Sequence, residues 1–226
     1  MDSIHIYDLG KADFEWVTNS LQDELTGSGK DSLILFEPSE PVYTLGTKAQ
    51  RQAMSEIFRK QTSVRMIPVS RGGSITYHGP GQLVGYLLLD LKKKGISPAD
   101  FVEKMEASLK DAMIALGAKD ASINHERAAD GRQYGIWIGS DKLVAIGLRF
   151  HKMRYSLHGF AININPDLKY FEQIFGCGLR DKGSISLQRM LRFAPKMQAV
   201  KDIVADCLRK AFVYDKIIME RQQKAL

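Results

Sequence analysis

The chain has 226 residues, 44% hydrophobic and 26% charged, the proportions of a soluble globular chain of one domain's length, and no apolar run approaches the roughly 20 residues that span a bilayer. Lys plus Arg number 32 against 26 for Asp plus Glu; this modest excess is compatible with an acidic protein partner, with nucleic acid or with nothing specific, and nucleic acid is the weakest of the three because no recognition motif accompanies it. The two cysteines, Cys177 and Cys207, exclude a Cys-only zinc site and argue against a disulfide in a reducing compartment.

The amino terminus, MDSIHIYDLG, has neither the basic nor the apolar region of an export signal, so the expected location is cytoplasmic, with no membrane association. Phe14, Val17, Leu21 and Leu25 recur at helical spacing after Asp13 and predict a first amphipathic helix. Strands are predicted over 32–36, 42–45 and 66–69, the last leading into a glycine-rich turn. Residues 82–89 form a nearly continuous apolar run, the pattern of a central strand. Ser97 before Pro98 marks a helix start, and Phe101, Val102, Met105, Leu109, Met113 and Leu116 share its inner face. Residues 119–132 are polar and read as an exposed loop. Gly135 to Ile138 and Lys142 to Phe150 flank Gly139-Ser140-Asp141, a hairpin signal, and Tyr155 to Ile164 adds a third strand. A short helix over 168–175 delivers the chain to Cys177. Val200, Ile203, Val204, Cys207, Leu208 and Phe212 mark a last helix. The fold class expected is α+β: a single domain over 1–226, with a mixed or antiparallel sheet and flanking helices.

Four stretches carry more glycine, histidine and polar residues than packing requires. In RGGSITYHGPGQLVGY (Arg71 to Tyr86), glycines let backbone approach a ligand while Arg71, Tyr77 and His78 supply donors; a glycine-rich hairpin is the equal alternative. In GIWIGSDKLVAIGLR (Gly135 to Arg149), Lys142 is either a solvated edge residue, the commoner case, or a partly buried ammonium. His158 in HGFAINI is either a core histidine or a ligand contact. In FGCGL, glycines on both sides give Cys177 little cover, which suits an exposed thiolate, whereas Cys207 sits among apolar neighbours as a core residue.

Together and in this order, TLG at 44–46, RGGSITYHGPGQLVGY, KLVAIGLR, HGFAINI and CG at 177–178 resemble the lipoyl(octanoyl) transferase family, over Thr44 to about Leu187. The family has the catalytic-core fold of biotin and lipoate ligases. The resemblance implies transfer of an octanoyl group from an octanoyl-acyl carrier protein to a lysine of lipoyl domains. It places the acyl-thioester cysteine on Cys177 and the lysine that lowers its pKa on Lys142. It places substrate binding on Arg71, Gly72, Gly73, Ser74, Ile75, Thr76, Tyr77 and His78, on Ala145, Ile146 and Gly147, and on His158, Gly159 and Phe160. Acceptors implied are the lipoyl domains of 2-oxoacid dehydrogenases and the glycine-cleavage carrier protein. Three positions depart from the family pattern: Ser70 for an aspartate, and Leu87 and Gly176 for prolines.

Thioester exchange is nearly neutral and thioester-to-amide transfer is downhill, so no ATP, metal or redox cofactor is expected. Leu83, Val84, Ile146 and Phe160 are candidates for an acyl tunnel, with core as the alternative. Lys92, Lys93, Lys94, Arg149, Lys152 and Arg154 either guide an acidic carrier or are simply solvated. The rival activity is an ATP-dependent lipoate or biotin-type ligase, which shares the fold and a strand lysine but needs no cysteine. A rival of another class is a silent module that binds acylated carriers.

Overall fold

The computed structural model describes residues 2–26, 28–51, 62–123, 127–128, 131–174 and 183–220. Its main sheet has eight strands in the order β13-β1-β2-β6-β12-β11-β10-β7. These are β1 (Ser3–Ala12), β2 (Ser32–Pro38), β6 (Gln82–Leu88), β7 (Ala121–Ile123), β10 (Gly135–Ile138), β11 (Asp141–His151), β12 (Tyr155–Asn163) and β13 (Lys216–Met219). β1 runs parallel to both β13 and β2, and every other neighbouring pair is antiparallel. A second sheet holds β3 (Val42–Leu45) between β4 (Arg65–Pro68) and β5 (Ile75–His78), and β8 (Arg127–Ala128) pairs with β9 (Gly131–Arg132). The expected α+β class, mixed sheet and flanking helices are therefore present.

Strand alternation explains why the central strands read as continuous apolar runs. In β2, Leu33 and Leu35 face one core while Ile34 and Phe36 face another, so both sheet faces are dry. On the first face lie α3 (Pro98–Ala115) and α6 (Met197–Ala211). Phe101, Met105, Leu109, Ala112 and Met113 of α3 and Val200, Val204 and Leu208 of α6 form the stripe they bury. Ser97 starts α3 with a complete capping box: its Oγ accepts from the Asp100 N–H, and the Asp100 carboxylate accepts from the Ser97 N–H, satisfying two donors at once. On the second face lies α1, residues 14–26, whose middle (Val17–Leu21) widens into a π segment. Phe14, Val17 and Leu25 of α1 pack on Ile34, Phe36, Val84 and Tyr86. Short helices α2 (Leu91–Lys94), α4 (Lys169–Glu172) and α5 (Leu187–Leu191) connect these layers.

Two expectations are corrected. The segment 119–132 is not simply loop, because Ala121–Ile123 pairs with Ile136 to Ile138 at the sheet edge; tertiary pairing overrides a polar local pattern. The Arg71 to Tyr86 stretch is not a hairpin: β5 pairs with β3, whereas β6 pairs with β2 and β12. Its HGPG turn carries the chain from the small sheet to the large one, with Gly81 at φ +86° and no room there for a Cβ against Asn165. β1 and β13, unassigned from sequence, extend the sheet beyond β2. Cys207 is half-buried against the core, its thiol pKa raised by that burial. No helix of the described residues is long and apolar enough to cross a membrane.

Candidate active site

The position of Lys142 is set by a slip in strand register. Ile136 pairs with Val144, but Trp137 pairs with Lys142, so one extra residue is accommodated on β11, as at a β-bulge. Directly opposed residues share a face, and the slip puts Lys142 beside Trp137. The Lys142 ammonium donates to the Gln133 side-chain carbonyl at 2.9 Å and stands 4.5 Å from the Trp137 ring centre. It is half-buried, not the solvated edge lysine that base rates favour. Its backbone is bridged in parallel to Ser184: the Lys142 N–H donates to the Gly183 carbonyl and the Ile185 N–H donates to the Lys142 carbonyl. The chain six residues beyond Cys177 is thus stitched to Lys142. Cys177 itself and Gly176 lie outside the described residues.

Further along β11, five residues from Lys142, glycines cluster on neighbouring strands. Gly147 pairs with Gly159, and Phe160 pairs with Gly85. A Cβ on Gly159 would strike the Gly85 carbonyl, and one on Gly85 would strike the Phe160 ring. Gly147 has a different partner: a Cβ there would lie 2.8 Å from Cδ of Arg71. The Arg71 guanidinium donates to the carbonyls of Gly72 and Ser74 and to both oxygens of Thr44, at 2.8 to 3.1 Å. With the Gly72 N–H donating to the Leu148 carbonyl, the 71–74 loop is fastened across β3 and β11. Gly147→Val is expected to push Arg71 off this seat and lower kcat/KM by roughly tenfold, about 1.4 kcal/mol of transition-state stabilisation. Steady-state kinetics on the folded variant would show it, with a lower thermal midpoint expected alongside.

Two imidazoles flank Arg71. His78, at the end of β5, is buried and stacks on Phe14 with centroids 4.6 Å apart, and its Nδ1 has no hydrogen-bond partner among the described residues. His158 is held at φ +61°, a region non-glycine residues rarely occupy. That conformation is retained by neighbours: its N–H donates to the Gln22 side chain at 2.6 Å, and its Nε2 lies 3.0 Å from the Ser70 hydroxyl. Its ring meets Tyr86 edge-on. Ser70, the first departure from the family pattern, thus contacts His158. Burial, with Arg71 adding repulsion, pushes both imidazoles down to about 3; both are neutral at physiological pH. Leu87, the second departure, is a fully buried core residue paired with Leu33.

These groups surround one cavity of about 680 Å³, within the usual range for a small-molecule site. Every expected binding residue lines it except Ser74, and so does Lys142. Of the tunnel candidates, Val84, Ile146 and Phe160 line it, whereas Leu83 is buried in the helix-covered core and does not. Phe14, Tyr86, Gln133, Trp137, Gln82 and Asn163 also line it and were not anticipated. Two of the six basic surface candidates have carboxylate partners within the chain. Lys94 is largely covered, paired with Asp2 at 2.6 Å, whereas Arg154 stays exposed and pairs with Asp90 at 2.6 Å.

Residues 15–209 match the family of the lipoyl protein ligase A/B catalytic domain. The chain is 38% identical to an octanoyltransferase of Caldicellulosiruptor bescii over 80% of this chain and 78% of that one. It is 31% identical to a mitochondrial octanoyltransferase of Arabidopsis thaliana over 96% of this chain and 92% of that one. Among solved structures it is similar to a lipoate-protein ligase A bound with ATP, at TM-score 0.76 and 13% identity over 98% of this chain and 90% of that one. A biotin protein ligase from Aquifex aeolicus aligns at TM-score 0.53 and 11% identity, over 92% and 69% of the two chains. At such identities the structural likenesses establish the fold.

Proposed function

Starting from the premise that this chain belongs to the lipoyl protein ligase A/B catalytic-domain family and is an octanoyltransferase, we propose that it transfers the acyl group through a thioester on Cys177, with Lys142 as activator. The observation that carries this reading is the bridge between Lys142 and residues 183–185. Upstream, Ile174 is buried against Tyr43, Ile75 and Tyr77. Both Ile174 and Gly183 line the cavity. Cys177 is three residues from Ile174, and three extended residues reach only about 10 Å. In sequence, Cys177 falls between these two cavity-lining positions, which supports the reading.

A free thiol titrates near 8.5, so a neighbouring ammonium is needed to populate the thiolate at neutral pH. The thiolate of Cys177 attacks the octanoyl thioester carbonyl, the donor's carbon–sulfur bond breaks, and the donor thiol leaves with a proton. In this reading the Lys142 ammonium gives the leaving thiol its proton; a lysine amine of the acceptor then attacks the acyl-cysteine, and the neutral Lys142 takes the proton that this amine gives up. The new bond is an amide, and the Cys177 thiolate is regenerated. The sheet floor of Gly147 and Gly159, with Val84, Ile146 and Phe160 nearby, suits a flat apolar chain lying against it. The donor in this reading is an octanoyl-acyl carrier protein. The acceptors are lipoyl-domain proteins, those of 2-oxoacid dehydrogenases and the glycine-cleavage carrier protein. The whole chain acts as one catalytic domain, in a reducing compartment such as the cytoplasm that keeps Cys177 a thiol.

Intact mass of the purified protein after incubation with octanoyl-carrier protein, without ATP, tests this directly. The expected result is a gain of one octanoyl group that disappears on adding an acceptor domain. Absence of the adduct, together with acceptor octanoylation from free octanoate only when ATP is supplied, would establish the ligase route instead.

A further inference from the structure

Two buried amides lie between the HGPG turn and Lys142, and the chemistry above assigns neither a role. Gln82 opens β6 and Asn163 closes β12, paired across the sheet. They are 1% and 5% exposed and both line the cavity. Each amide has every polar atom engaged. The Gln82 carbonyl accepts from the Gly79 N–H at 3.1 Å, and its NH₂ donates to the Asn163 side-chain carbonyl at 2.8 Å and to the Tyr77 carbonyl at 3.4 Å. The Asn163 NH₂ donates to the Ile185 carbonyl at 3.1 Å and to the Lys142 carbonyl at 3.5 Å. Flipping either amide would set carbonyl against carbonyl, so the orientation of the pair is dictated by its partners. Packing alone would be met by two apolar residues. A fully satisfied polar pair instead fixes one arrangement of the backbones it joins.

The backbones joined are the HGPG turn, the Lys142 position on β11 and residues 183–185. We propose that Asn163, oriented by Gln82, is a positioning residue for Lys142. By gripping the Lys142 and Ile185 carbonyls together, it holds the bulged end of β11 in register with the segment that follows Cys177. The Asn163 contact on Lys142 is to its backbone carbonyl. This inference rests on Lys142 being the activator of Cys177, so its test carries Lys142→Met as reference.

Cys177 alkylation by iodoacetamide, followed by mass of the modified peptide between pH 5.5 and 9.5, reads the thiolate fraction. If the reading of Lys142 holds, Lys142→Met moves this profile to higher pH. Asn163→Ala and Gln82→Leu are then expected to move it in the same direction and to lower kcat, by as much as ~100-fold for a displacement near 1 Å, with KM little changed. The double variant should be no worse than Asn163→Ala alone, because both residues act through one contact. Should Asn163→Ala fail to fold, Asn163→Ser and Gln82→Leu carry the comparison. Folded variants with the wild-type profile overturn the positioning role, as does a loss of thermal stability with profile and kcat unmoved. If Lys142→Met itself leaves the profile unchanged, the activating role is what fails, and the positioning role falls with it.

Discussion

Cys177→Ser is expected to lose at least about 10³-fold in octanoyl transfer, the scale seen when a covalent nucleophile is removed, while keeping the wild-type thermal midpoint. The loss follows from acidity. A nearby ammonium lowers a thiol that starts near 8.5 into the neutral range, whereas a serine hydroxyl starts far too high for one lysine to ionise it. A side chain activated by an adjacent charge, with no general base of matched pKa, cannot exchange sulfur for oxygen. Stability should hold because glycines surround position 177 and the replacement changes one atom. Intact mass should show the octanoyl adduct on the wild type and none on the variant, at equal exposure to the thioester donor. A serine variant that turned over at near wild-type rate would mean that the acyl group passes directly from donor to acceptor and that Cys177 is incidental.

Much of this arrangement was legible in the residues. The apolar face of α3 and its Ser97-Pro98 start were readable because capping and helical periodicity are local. The β10-β11-β12 meander was readable because its turns are tight. What escaped notice depends on contacts distant in sequence. β1 lies beside β2 and β13, and only Ile4 and Ile6 of its ten residues are buried, too short an alternation to stand out. β7 is three residues long and defined wholly by its partner.

The site divides in the same way. Glycines and charged side chains advertise themselves, so nearly all the expected binding residues line the cavity. Lys142 could be named but not oriented, since its face depends on the register slip opposite Ile136 and Trp137. The roles of Gln82 and Asn163 have no such signal, because an amide at a strand end is unremarkable until its partners are known. Lys94 looked like surface charge for the same reason. The carboxylate that holds it comes from Asp2, and that pairing has no signature in sequence.

Acidification between about pH 6.5 and 4.5 is expected to destabilise the fold steeply, through the two imidazoles of the cavity. His78 and His158 are held at about 3 when folded, whereas an unfolded histidine titrates near 6.5. Between those values the unfolded chain binds up to two more protons than the folded one. Unfolding free energy therefore rises with pH, by up to about 2.7 kcal/mol per unit when both differ fully. The stability conferred by the neutral pair is complete above pH 6.5 and is lost as pH falls toward 3. Surface carboxylates such as Asp90 and Asp206, held below their ordinary range by Arg154 and by Lys210 with Arg209, titrate only below this window. Urea midpoints measured from pH 7 to 4.5 should fall accordingly. His158→Gln, which keeps a polar group toward Ser70 but cannot take up a proton, should flatten the dependence by about half. A midpoint independent of pH across that range would mean that water reaches these imidazoles freely. Burial drives the shift at both positions, so the same experiment reports whether the cavity floor beside Arg71 is as dry as an acyl chain requires.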